Sequence, residues 1–386
     1  MSGEILFLAH RLPWPPDRGD RIRSWHILQA LAKLRPVHVV APLDTRADAA
    51  GMGRVREVAA SVTASVRPSK AGAVARALLT GRPASVELFN VPMLHAAVRE
   101  HLARGQIGTV FAFSGQMAQY VPEGSGARFI MDFVDMDSAK FASSASKARG
   151  LLRTGLEREA RRLRAFEITT ARRADASLFV SAAEAALFER ETSIQAQVLE
   201  NGVDAAHFAP GIVQPAEATR PLIVFTGQMD YAPNVEAVIR FVEEVLPLVP
   251  AATFAIVGRA PTAAVRALAS PHVIVTGEVA DTRPWLAAAD VVVAPLLLAR
   301  GIQNKVLEAM AMARPVVASP AAAEGIDARL GEELLVADNP AGQAEVIRAL
   351  LADDARRARI GEAARARVLA RYDWDACLAP LAELIA

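Results

Sequence analysis

Short apolar runs recur along the chain in two series, each run too short for a helix and most of them followed by helical periodicity. The first series holds Ile5 to Ala9, Val37 to Ala41, Gly108 to Phe113, Phe129 to Asp132 and Ala176 to Val180. The second holds Leu222 to Thr226, Thr253 to Val257, Val273 to Thr276, Val291 to Ala294, Val316 to Ala318 and Leu334 to Val336. Runs that are apolar throughout, not at every second residue, suit strands buried on both faces, and such strands form parallel sheets covered by helices. Ile22, Trp25, Leu28, Leu31 and Leu34 repeat at helical spacing between the first two runs, which gives a β-α-β start. The proline-bounded polar stretch Pro210 to Pro221 separates the two series. The chain therefore reads as α/β, with two Rossmann-like, doubly wound domains.

Composition removes several classes of function. A length of 386 residues suits two domains, and 52% hydrophobic residues are enough to fill their cores. A net charge of +1 argues against a nucleic-acid binder held by bulk charge. The lone Cys377 excludes an internal disulfide framework and suits a reducing, cytoplasmic setting. The start does not read as a signal peptide, because Arg11 and Pro13 end the apolar run at Ile5 to Ala9 too early. No apolar stretch approaches the length of a membrane span, so any membrane role is peripheral.

Three stretches carry chemistry. The run from Leu297 to Ala318 reads as a loop, a helix and a buried strand, with Gly301 punctuating the loop and Asn304 able to cap the helix. A helix start beyond a parallel strand offers free N–H groups and a positive dipole end, which suits a phosphate. Lys305 lies in that first turn, and Glu308 follows one turn later, placed for sugar hydroxyls; a capped core helix with two solvated charges is the plainer reading. The loop from His10 to Asp20 is dense in proline and charge, with Gly19 allowing close backbone approach and Arg18, Arg21 and Arg23 able to meet phosphate. Asp132, Asp135 and Asp137 cluster after another strand, where Asp137 or Ser138 also serves as a helix cap. Between Lys147 and Arg173 a long basic helix is expected, with Leu152, Leu156, Leu163 and Phe166 as its apolar stripe. Its charged face reads first as solvated, and second as a face for anionic lipid. No Gly-x-Gly-x-x-Gly follows a strand and there is no P-loop, which weakens a dinucleotide reading.

The run Arg300-Gly301-Ile302-Gln303-Asn304-Lys305-Val306-Leu307-Glu308-Ala309-Met310 resembles the donor-site signature of GT-B glycosyltransferases, in particular the retaining, family 4-like enzymes that use nucleotide sugars. The string from Pro13 to Ser24 is similar to the opening loop of a subgroup associated with exopolysaccharide synthesis, and Asn201-Gly202-Val203-Asp204 to the interdomain hinge. The resemblance implies a GT-B fold, two Rossmann-like domains facing across a cleft. Residues 1–205 would form the acceptor-side domain, completed by a returning helix in 372–386, and 206–371 the nucleotide-sugar domain. It implies Glu308 on the ribose, with Lys305 and the loop Gly301, Ile302, Gln303 and Asn304 on the diphosphate. Gly227 would close the site, Val279 would meet the base, and Gly19 would border the reaction centre with Arg18 and Arg23 beside it.

The chain departs from the family pattern in three places. Many members carry a second glutamate on the transferred sugar where this chain has Arg300. Many hold the diphosphate with an arginine and a lysine where this chain has Gln228 and Asn234, which shifts weight to Lys305, with Arg259 as helper. Many place a histidine after the strand that here ends at Asp132, and Asp135 is the nearest substitute. The implied activity is transfer of a hexose-type sugar, with retention, from a nucleoside diphosphate sugar to a saccharide or lipid-linked saccharide in polysaccharide biosynthesis. No cofactor or metal is expected, and the implied setting is cytoplasmic, at the inner face of the membrane through a peripheral contact. An epimerase of the same fold and a non-catalytic nucleotide-sugar sensor are the alternatives.

Overall fold

The computed structural model describes residues 3–299 and 302–386 and divides the chain into two compact units. The first comprises Met1–Asn201 with Cys377–Ala386, and the second Gly202–Ala376. The divisions fall a few residues from those expected, because Val203 donates its N–H to Tyr372 O at 2.7 Å and bridges Asp373 in parallel. A Cβ on Gly202 would sit 2.7 Å from Trp374 Cα, so both crossing segments are pinned together within the second unit.

In the first unit, β1 (Glu4–Ala9), β2 (Val37–Leu43), β3 (Ser61–Val66), β4 (Ile107–Phe113), β5 (Arg128–Val134), β6 (Ala176–Phe179) and β7 (Gln197–Val198) form one sheet in the order β3-β2-β1-β4-β5-β6-β7. Every neighbouring pair is parallel. In the second unit, β8 (Leu222–Thr226), β9 (Thr253–Val257), β10 (Val273–Gly277), β11 (Val291–Ala294), β12 (Val316–Ala318) and β13 (Leu335–Val336) run β10-β9-β8-β11-β12-β13, again all parallel. Strands β1, β8, β9 and β11 are buried along essentially their whole length, as their unbroken apolar sequences require. Each sheet reverses its order once, between β1 and β4 and between β8 and β11. Parallel sheets leave a crevice at such a reversal, beyond the carboxyl ends of the strands.

Two helices differ from expectation. The basic segment is not one helix from Lys147: Asp137–Lys147 ends, Arg149 is extended, and a second helix Gly150–Arg173 starts at Gly150 with φ +60°. The closing segment is two short helices, Trp374–Leu378 and Leu381–Leu384, with Pro380 at the start of the second, where it has no N–H to continue the first.

Candidate functional site

In the second unit the crevice at β8 and β11 is built from backbone upward. Gly258, at φ +151°, packs so tightly on the end of β8 that a Cβ there would lie 1.7 Å from Gly227 O. Gly227 donates its N–H to Val257 O at 3.0 Å, and a Cβ on it would meet Asn234 Nδ2 at 2.8 Å and Lys305 Nζ at 3.1 Å. The space that Gly227 leaves empty is thus the space Lys305 uses. Its ammonium donates to Asn234 Oδ1 at 2.7 Å and lies 4.2 Å from the Phe225 ring centroid. Asn234 Nδ2 in turn donates to Gln228 O at 2.9 Å, and Arg259 Nη2 donates to Gln228 Oε1 at 3.0 Å. Gln228 and Asn234, which looked like the loss of a cationic loop, tie two cations from other segments to that loop.

The helix Asn304–Ala311 starts one residue earlier than expected, with Gln303 at the N-cap and Asn304 exposed in the first turn. The Gln303 side chain makes no capping bond, so the cap expected of Asn304 is not made by either residue in that form. Lys305 and Glu308 share the helix face and are both partly buried. Burial pushes the Lys305 ammonium down to about 8, against the pull of the Glu308 charge. Burial pushes the Glu308 carboxyl up to about 7, which the Lys305 charge opposes. Among the described residues the Glu308 carboxylate takes no hydrogen bond, so it is an acceptor waiting for a donor.

Ile302 packs against the second core, and so does Val279, which follows β10. Asp281, just before the N-cap Thr282 of the next helix, accepts from Arg283 N at 2.9 Å and pairs with the Arg283 guanidinium at 2.7 Å. Arg300 and Gly301 lie outside the described residues.

The first unit places the remaining candidates differently. A pocket of about 310 Å³ opens at the β1/β4 reversal, lined by His10 and Arg11 after β1, Ser114 and Gln116 after β4, and Asp135 and Asp137 after β5. Phe89, Phe113 and Phe133 wall it, and Asp20 and Lys140 close its rim. Ser114 at φ +75° and Val134 at φ +70° flank it, both in a backbone region that residues with a Cβ rarely adopt. Asp135 binds Lys140 Nζ at 2.6 Å, while Asp137 accepts from Gln116 Nε2 at 2.8 Å. Asp20 accepts from Arg11 Nη1 at 2.7 Å and lies 3.2 Å from His10 Nε2. Burial disfavours the Asp20 charge, but the His10 hydrogen bond and the charges of His10, Arg11 and Arg18 hold its carboxyl well below the usual range. Burial lowers the His10 pKa, against the hydrogen bond the ring makes to the Asp20 carboxylate. Glu167, buried and pushed up to about 7 by that burial, accepts from Ser138 N and Ser138 Oγ and so fixes the helix that carries Asp137 and Lys140.

Arg23 does not belong to this pocket. It is 1% exposed, with Nε and Nη2 on Asp132 at 3.1 and 2.9 Å, Nη2 also on Leu199 O and Nη1 on Asn201 Oδ1. Its donors are spent on holding β5 and the segment after β7, so no ligand reaches it. Arg18 reaches the pocket rim indirectly, 3.5 Å from Asp20 and 3.1 Å from Asp44. A Cβ on Gly19 would meet nothing within 4 Å, which leaves open space before that turn. The three aspartates do not form one cluster: Asp132, inside β5, is tied to Arg23, whereas Asp135 and Asp137, after the strand, share Lys140. Sequence reasoning missed His10, Arg11, Asp20 and Gln116 as a group; the strand order was the signal, because it brings the ends of β1 and β4 together.

Two parallel-sheet Rossmann units of this order, the second with a lysine–glutamate helix start at its reversal, have the GT-B fold of glycosyltransferases. More narrowly, residues 220–353 match the family described as glycosyl transferases group 1. Among solved structures, a glycosyltransferase from Rickettsia africae is similar over 100% of this chain and 98% of its own, with a TM-score of 0.66 at 13% identity. HepE of Anabaena in complex with UDP aligns over 98% of both chains, with a TM-score of 0.64 at 16% identity. Sucrose-phosphate synthase from Thermosynechococcus elongatus aligns over 99% of this chain and 98% of its own, with a TM-score of 0.63 at 16% identity. No curated protein sequence matches the chain.

Proposed function

We propose that the chain is a hexosyltransferase that moves a sugar from a nucleoside diphosphate sugar to a saccharide acceptor, with retention, the acceptor being lipid-linked and the product a polysaccharide precursor. The observation that carries this reading is the second unit's helix start: Lys305 held over Phe225 by Asn234, and one turn on a Glu308 carboxylate that accepts no hydrogen bond among the described residues. The match of residues 220–353 to group 1 glycosyl transferases supports it, as do the UDP and UDP-glucose complexes described for HepE.

In this reading the Glu308 carboxylate accepts from the ribose hydroxyls. The Lys305 ammonium and the helix N–H groups stabilise the negative charge that grows on the departing diphosphate, where aligned donors contribute most. Arg259 adds a second cation beside the loop. Ile302, Gln303 and Asn304 line the diphosphate and Val279 meets the base. The first unit's pocket takes the acceptor, its phenylalanines against sugar ring faces and its aspartates on hydroxyls. Asp135 and Asp137 orient the attacking hydroxyl, and the donor's own phosphate oxygen takes its proton.

Thermal shift with a panel of UDP- and GDP-sugars tests the donor site. One nucleotide class raises Tm by mass action, and Glu308→Ala abolishes the rise; no rise with any nucleotide sugar defeats the assignment. The anomeric configuration of the product, read by NMR, tests retention. An epimerase is the second reading, favoured by the pocket that gathers His10 with Asp20, Asp135 and Asp137. It would turn over a nucleotide sugar with no acceptor present, which the transferase would not.

A further inference from the structure

His10 lines the first unit's pocket, yet the transfer step as written gives it no task. It follows β1 and is 8% exposed, its ring packed against Phe89 and Phe113 with centroids 5.7 and 5.5 Å away. Its Nε2 has two neighbours, Arg11 Nη1 at 2.6 Å and Asp20 Oδ2 at 3.2 Å. An imidazole nitrogen carries either one hydrogen or one lone pair, so Nε2 serves one of these neighbours and not both. A guanidinium only donates, and 2.6 Å leaves no room for two hydrogens facing each other. Nε2 is therefore the acceptor, Arg11 the donor, and the ring is neutral with its hydrogen on Nδ1. Burial favours the same neutral form. Nδ1 itself is buried without a partner, and moving the hydrogen to Nε2 would leave it just as unpartnered while setting N–H against N–H at Arg11.

The ring thus helps to seat Arg11. Arg11 Nε donates to Asp44 Oδ2 at 2.9 Å, and Nη1 spends its two hydrogens on Asp20 Oδ2 at 2.7 Å and on His10. The guanidinium carbon lies 5.7 Å from the Phe89 ring centroid. Nη2 has no acceptor among the described residues, and Arg11 lines the pocket, so two N–H donors are left for a ligand oxygen. The charges that face the ring are Arg11 beside it, Asp20 from the helix Gly19–Leu34 and Asp137 from the helix Asp137–Lys147. Farther out, Arg18 and Arg67 share Asp44 with Arg11, and Lys140 pairs with Asp135 and Asp137. Asp20 stays ionised, its carboxyl held well below the usual range. Of all these groups only the imidazole is of a kind that changes charge near neutral pH.

We propose that His10 is a positioning residue that seats Arg11 in the pocket while neutral and unseats it on taking up a proton. The added proton goes to Nε2, because Nδ1 already carries its hydrogen. Nε2–H then donates to Asp20, and the imidazolium repels the guanidinium it had held. What this does to a ligand rests on the reading of the pocket as the acceptor site: saccharide hydroxyls are bound through Arg11 Nη2 while His10 is neutral and are released as it protonates. His10 titrates below the ordinary histidine range, so the seated form is the one present at neutral pH and the loss falls on the acid side.

Nitrogen-15 NMR of the full chain with labelled histidine and arginine tests the proposal. Of the seven histidines, His10 gives the signal that His10→Gln removes. At neutral pH it shows hydrogen on Nδ1 and a lone pair on Nε2, and its titration moves the Arg11 Nε–H resonance with the same midpoint. Methyl glucoside, followed by saturation-transfer NMR, probes the pocket. Its affinity for the parent falls about ten-fold as pH drops through that midpoint, the loss of a charge-assisted hydrogen bond. His10→Gln, whose amide oxygen accepts from Arg11 at any pH, binds with no such fall, and Arg11→Lys, which keeps the charge but loses Nη2, binds weakly throughout. Hydrogen on Nε2 at neutral pH, a ring that stays neutral until acid unfolds the protein, or the parent's pH dependence persisting in His10→Gln would each overturn it. The tautomer is read on the parent without ligand, so the two readings fail separately. The expected tautomer and linked titration with no glucoside bound at any pH defeat the acceptor reading alone, and glucoside binding with the opposite tautomer defeats the His10 assignment alone.

Discussion

Lys305 and Glu308 are each ill at ease with their own charge and each steadied by the other's. A nucleoside diphosphate needs the ammonium protonated and the carboxylate ionised, conditions that overlap between about 7 and about 8 in the free protein. UDP or GDP affinity, measured by calorimetry across pH, is therefore expected to peak in that interval and weaken on both sides. Asn234→Asp would put a second anion on the ammonium and move the alkaline limb up by about one pH unit. The same shifts act on stability in the opposite sense. Glu308 holds its proton more tightly folded than unfolded, so stability falls as pH rises from the ordinary glutamate range through about 7. Lys305 releases its proton more easily folded, so stability rises again as pH climbs from about 8 toward the ordinary lysine range. Glu308→Gln is expected to gain about 1–2 kcal/mol at pH 8 while losing the nucleotide-dependent rise in Tm, a pairing that separates a site residue from a structural one. Lys305, Glu308 and Gly227 were legible because one short segment and one strand end carry them. The role of Asn234 was not, because Lys305 reaches it across 71 positions. Arg23 misled for the same reason: its partner Asp132 is 109 positions away, and nothing near it in sequence shows that its donors are spent.

At the scale of elements, the strands were legible almost residue by residue, because burial on both faces leaves no polar position to blur a run. Helix ends were less so. The break at Arg149–Gly150 and the division at Pro380 depend on single residues inside otherwise helical patterns. The crevice at β8 rests on two glycines with different duties, and alanine substitution separates them. Gly258→Ala would drive a methyl into Gly227 O, which only backbone movement relieves, and is expected to cost more than about 3 kcal/mol. Gly227→Ala meets only the ends of two side chains, and should cost about 1 kcal/mol or less while displacing Lys305 and weakening nucleotide binding. Urea titration and calorimetry on the two variants check both halves of that statement.

At the scale of the whole molecule, the chain leaves the first unit at Asn201 and re-enters it at Cys377. The short returning segment buries Leu381, Leu384 and Ile385, and its last helix packs on Gly19–Leu34. Deleting Cys377–Ala386 removes four buried aliphatic side chains, those of Leu378, Leu381, Leu384 and Ile385, at roughly 1.5–3 kcal/mol each. The first unit is expected to become protease-sensitive, while a resistant fragment covering Gly202–Ala376 survives limited proteolysis. The same path sets an order of events during synthesis. Glu4 to Asn201 leaves the ribosome first, yet its core lacks a piece until Cys377–Ala386 has followed. The second unit, translated in between, has all its own strands before that. Domains made in sequence ordinarily fold in the order they emerge. Here the half born first is the half completed last, and its exposed edge is what a chaperone would meet while it waits.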